Sequence, residues 1–170
     1  MFRKLVSLTL AALFVSAVAF AGDGHDHGKA AAAMPDMDVM MKQMQNCMVC
    51  KNMAPHMAEL MPAMKMERVA LNNGFAMMTT ISDPKLLATY HSTCDLMTDA
   101  GAKAMALSME DSKTMLCDFC QGIYNFSHAG GNFSVGKTPT GDMMVFASDN
   151  PENKEKLVAM EKMCEMMAAN

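Results

Sequence analysis

The chain has 170 residues, with 14 Lys and Arg against 18 Asp and Glu, no tryptophan and 24 methionines. That length suits one ordinary domain or two small ones and is enough to bury a core. The acidic balance argues against a nucleic-acid partner, since phosphate binding needs a basic face, and the methionine excess is unusual because Met is not among the residues globular proteins use most.

Residues 1–21 read as a secretory signal peptide: Arg3 and Lys4, an apolar run from Leu5 to Phe20, then Ala19-Phe20-Ala21 before Gly22. The run is short for a bilayer span and no later segment offers 18 uninterrupted apolar residues, so no integral membrane span is expected. No Cys follows the cut to carry a lipid, and the expected address is the periplasm or the outside of the cell. Losing Arg3 and Lys4 leaves 12 basic against 18 acidic residues, a mature charge of about −6. Residues 22–35 carry His25, Asp26 and His27 and then an alanine run with no apolar period, which predicts a flexible tail. A free amine two residues before a histidine chelates Cu(II). A cut after Ala21 leaves His25 one place too late, whereas a cut after Gly22 would create that chelate.

From residue 36 the chain repeats itself. Cys47-Met-Val-Cys50 and Cys94 recur 70 residues on as Cys117-Asp-Phe-Cys120 and Cys164, which uses all six cysteines. Met37, Met40, Met41, Met44 and Met48 step at helical spacing into the first pair, and Pro55 and Pro62 should kink or end that helix. Residues 66–71 and 75–81 flank Asn72-Asn73-Gly74, a hairpin pattern. Ser82-Asp83-Pro84 then starts a helix that carries Cys94. In the second copy Ser108 and Asp111 make a capping-box-like start, and Gly130-Gly131 ends the helix. Residues 132–136 and 142–147 form the hairpin, and Ser148-Asp149-Asn150-Pro151 starts the helix that carries Cys164. The fold class expected is α+β: a tandem duplication of a helix–β-hairpin–helix unit of about 70 residues, packed with pseudo-twofold symmetry. Its parts are residues 36–100 and 108–170, with a join at 101–107.

Two cysteines three apart on a helix face one side, and a third from the closing helix can meet them; three thiolates make a soft-metal site. In the first copy His91, one turn before Cys94, completes a set of zinc type with Cys47 and Cys50. The second copy has Glu161 at that place, so Cys117, Cys120 and Cys164 need His128 or a methionine such as Met115 or Met163. Cu(I) suits thiolates and thioethers at low coordination number, and Zn(II) is the other candidate. Eleven methionines lie between Met34 and Met66, around one CxxC. For each of them packing is the plain explanation, while their excess in an exported chain points to thioether chemistry.

Disulfides are the competing expectation, because exported proteins meet oxidising conditions and six is an even number. Lys51 and Gln121 follow the two CxxC motifs, so the CxxCH haem signature is missing and no haem is expected. Both pairs are expected well inside helices, where the dipole lowers a thiol pKa little, so redox exchange is a lesser alternative. No hydrolytic or phosphate-binding motif is present. The order CxxC, hairpin, helix-borne Cys over Cys47 to Cys94 is loosely similar to treble-clef-like metal modules. It is also loosely similar to periplasmic copper accessory proteins, including the family named for nitrous oxide reductase maturation. Lys51-Asn52-Met53 stands where those copper proteins end in Cys-Gly-Met.

The expectation is an exported metal-binding protein, Cu(I) first, that buffers or transfers metal and is not an enzyme. The alternatives are a disulfide-stabilised interaction domain that offers a Met-rich surface to a protein partner, and a thiol–disulfide exchange protein.

Overall fold

A computed structural model describes residues 37–168, so the expected signal peptide and the His25 and His27 tail lie outside the described residues. Helix α1 spans Met37–Asn46 and stops there. The amide of Cys47 is shared between the carbonyls of Gln43 and Met44, at 3.0 and 3.2 Å, a tightening typical of a helix end. Short 3₁₀ turns follow at Cys50–Asn52, Ala54–His56 and Met61–Ala63, with α2 at Met57–Leu60 between the last two. Pro55 and Pro62 each sit in the first turn of a 3₁₀ segment, where a missing N–H costs nothing.

Strands β1 (Met64–Leu71) and β2 (Gly74–Ile81) form the first hairpin, and α3 runs Leu87–Ala104, into the expected join. Helix α4 (Met109–Met115) is capped by Ser108, whose side chain accepts from the Asp111 amide at 3.0 Å. Helix α5 (Asp118–His128) ends before Gly130, which takes the left-handed φ of 81°. Strands β3 (Asn132–Thr138) and β4 (Gly141–Ala147) make the second hairpin, and α6 (Lys154–Ala168) closes the described chain.

The hairpins merge into one four-stranded antiparallel sheet, in the order β1-β2-β4-β3. Its central pair sets Met77 opposite Met144, Gly74 opposite Ala147 and Thr80 opposite Gly141. A shift of 67 residues carries Gly74 onto Gly141, Met77 onto Met144 and Thr80 onto Ala147, so this register is symmetric about Met77 and Met144. The two glycines let the hairpins close on each other. A Cβ on Gly74 would overlap the carbonyl of Phe146, and one on Gly141 the carbonyl of Thr79. Backbone cannot swing aside as a side chain can. Alanine at either glycine is therefore expected to destabilise by about 1–3 kcal/mol, the range for overpacking, and equally at both places; urea denaturation measures it.

Two apolar clusters pack on the helix-facing side of the sheet. One gathers Phe75, Met77, Phe126, Phe146, Met160 and Cys164. The other gathers Met53, Leu60, Ala63, Ile81, Tyr90 and Cys94. Arg68 of β1 pairs with Glu161 of α6. A third buried cluster holds sulfur.

Candidate metal centre

The sulfur cluster lies where the end of α1 meets the start of α5. Cys47 follows the last residue of α1, and Cys50 opens the first 3₁₀ turn. Cys117 is the N-cap residue of α5, and Cys120 stands in its first turn. Neither pair lies well inside a helix, contrary to the expectation from the sequence. The physical reason is that each chain turns sharply at its first cysteine, which aims both sulfurs of a pair across the turn. The loop after α1 is tied to the segment before α5 by the Met48 amide on the Met115 carbonyl at 2.9 Å. Gln43 Nε2 also donates to Asp118 Oδ2 at 3.2 Å.

The four sulfurs converge within 4.8 Å of one another. Cys50 Sγ is 3.3 Å from Cys120 Sγ and 3.7 Å from Cys117 Sγ, contacts that cross from one motif to the other. A tetrahedral ion with sulfur at about 2.3 Å has S···S edges of about 3.8 Å, so the cluster is close to the size of such a shell. The Cys50 amide points at Cys47 Sγ from 3.5 Å, a donor that favours a thiolate there. Cys47, Cys50 and Cys120 are buried, and Cys117 is half-buried at the edge of a groove of about 430 Å³ lined also by Val39, Gln43, Cys47, Met115 and Asp118. Val49 and Ala104 are buried beside the sulfurs, with Met44, Met48, Met97 and Phe119 packed against them.

The thiols divide into two kinds. Bonds from Cys117 first, then from Cys120 and Cys50, hold the Cys47 thiol well below the ordinary thiol range, and Cys120 does the same first for Cys117. Cys50 and Cys120 are pushed up, by Cys117 before any other group. Like charges packed this closely cannot all ionise; a bound dication removes that conflict.

Cys94, His91 and Cys164 lie apart from this centre. Cys94 Sγ donates to Asp142 Oδ2 at 3.8 Å. The ring of His91 bonds the Gly141 carbonyl through Nε2 at 2.8 Å. Cys164 is fully buried in the aromatic cluster. The sequence grouping took one CxxC and the helix-borne Cys of the same copy, whereas the structure brings the two CxxC motifs together. Helix register explains the difference. Cys94 lies ten residues after Pro84, but Cys164 lies thirteen after Pro151, so the third cysteines do not occupy equivalent helix positions despite their 70-residue spacing. Among the described residues all six thiols are free. No described helix is long and apolar enough to cross a membrane. Compared with known proteins, the chain matches no family model, no curated protein and no solved structure.

Proposed function

We propose that this is an exported, non-enzymatic protein that holds a soft or borderline metal ion for buffering or transfer. Cys47, Cys50, Cys117 and Cys120 are its ligands, and the two motifs come from tandem copies of one helix–hairpin–helix unit. The single observation that carries the metal reading is the convergence of four sulfurs from two distant CxxC motifs to tetrahedral spacing. The symmetric register of the central strands supports the duplication. A closed four-thiolate set is the pattern of metal-holding zinc sites, while catalytic zinc keeps an open position. The sequence favours Cu(I), which needs only two or three thiolates; four sulfurs at tetrahedral spacing move the assignment to Zn(II). Cu(I) stays as the second reading because Met44, Met48 and Met97 pack against the cluster. The N-terminal segment read as a signal peptide supports an address in the periplasm or outside the cell.

Loading the reduced protein with Co(II) is expected to give the intense visible band of a tetrahedral sulfur-ligated ion, and Zn(II) should abolish it. Absence of the band, or disulfides joining these four cysteines in protein taken from its own compartment, would overturn the proposal. Proton release supplies a further check. Cys50 and Cys120 are pushed up, so binding one ion near neutral pH should free at least two protons and affinity should rise at least ~100-fold per pH unit. Calorimetry in buffers of different ionisation enthalpy measures the number. A count near four would mean that the unloaded centre carries no thiolates.

A further inference from the structure

On the helix-facing side of the sheet the central strands pair Phe75 with Phe146 and Thr79 with Asp142. These pairs are equivalent about Met77 and Met144, since the 67-residue shift takes Thr79 to Phe146 and Phe75 to Asp142. At one place the fold buries two stacked rings, centroids 4.9 Å apart. At the other it buries a hydroxyl and a carboxylate, 2% and 6% exposed. The covering helices differ in the same sense. Tyr90 of α3 is buried beside the polar pair and Thr93 is buried on the same helix; counted from Pro151, their positions in α6 hold Leu157 and Met160. An apolar filling works in this fold, so the polar set is a costly departure from it.

Asp142 is the centre of that cost. Its Oδ2 accepts from Cys94 Sγ at 3.8 Å, while Oδ1 is buried with no hydrogen-bond partner among the described residues. Lys137, opposite Asp142 in the register, gives its ammonium to Asp95 at 2.6 Å. His91 is held on the Gly141 carbonyl. No cationic side chain among the described residues reaches the buried carboxylate. A dication relieves it. Shared between a carboxylate and a thiolate, it cancels both charges and uses the free lone pairs.

We propose that Cys94 Sγ and Asp142 Oδ1 are protein ligands of a second cation site, for a divalent ion of the zinc class. The hydroxyl of Tyr90 lies beside both Asp142 and Thr79, so the ion meets oxygen as well as sulfur. Binding breaks the Cys94 S–H bond, forms a sulfur–metal bond and releases the proton to solvent, with no change of oxidation state. This site is independent of the four-cysteine centre.

Co(II) titration of the reduced full chain, with elemental analysis, tests it. Two equivalents are expected in the native protein. Asp142→Asn and Cys94→Ser should each lose one equivalent while the four-thiolate band keeps its intensity. Native protein that binds Co(II) only at the four-cysteine centre overturns the proposal whether or not the variants fold. So does retention of both equivalents by Asp142→Asn, which would assign Oδ1 to a buried water. Failure of the four-cysteine centre would show separately, as loss of its band with a single equivalent that depends on Cys94.

Discussion

A serine in place of Cys120 is expected to cost the protein the metal of its four-cysteine centre and of order 4–5 kcal/mol of stability, the magnitude typical of losing a structural metal. Cys120 is buried, its sulfur stands 3.3 Å from that of Cys50, and Val49, Ala104 and Cys47 are buried in the same cluster. The centre joins the loop after α1 to the first turn of α5 across 70 residues of chain, so a bound ion clamps segments that otherwise meet through few polar contacts. Because an ion bound only by the folded state stabilises by mass action, melting temperature should rise with zinc concentration in the native protein and stay flat in Cys120→Ser. A chelator should bring the native protein down to the variant. Equal melting temperatures with and without zinc would sink the idea that this centre is filled.

Truncating Phe146 to alanine should be as damaging for a different reason. Its ring is fully buried, stacks on Phe75 at 4.9 Å and meets Phe133 at 4.9 Å and Phe126 at 6.2 Å. Removing it opens a cavity between the central strands and α5, and rings held by a sheet cannot collapse far into it. The expected loss is about 3–5 kcal/mol, with Phe146→Leu costing less. Metal content should not change, since Phe146 belongs to the aromatic cluster and the four cysteines lie in another, with only Phe119 packed against both. Chemical denaturation and elemental analysis of the same preparations check both halves. Loss of metal from folded Phe146→Ala would show that the two clusters are coupled.

Much of the α+β architecture was legible because its signals are local. Asn72-Asn73 between the first two strands, Pro151 and the Ser108 cap each act within a few residues of themselves and lie at an element boundary, while Pro84 lies in the turn that leads into α3. The first helix was misread for the same reason. Met44 and Met48 continue a helical period, but the backbone leaves the helix after Asn46, and the methionines beyond it pack from a turn. Period alone does not separate a helix from a turn whose side chains share one core.

By itself, the sequence determined which residues have metal-ligand chemistry, that they recur in two sets, and that each set is attached to a hairpin and a closing helix. Only the tertiary structure decided which cysteines meet. Spacing along a chain reports neighbours within one or two turns, whereas Cys47 and Cys50 reach Cys117 and Cys120 because the two hairpins share one sheet and bring the end of α1 against the start of α5. The same packing carried Cys94 to Asp142 and Cys164 into the aromatic core. A difference of three residues in helix register, one turn, separates two cysteines that sequence spacing pairs.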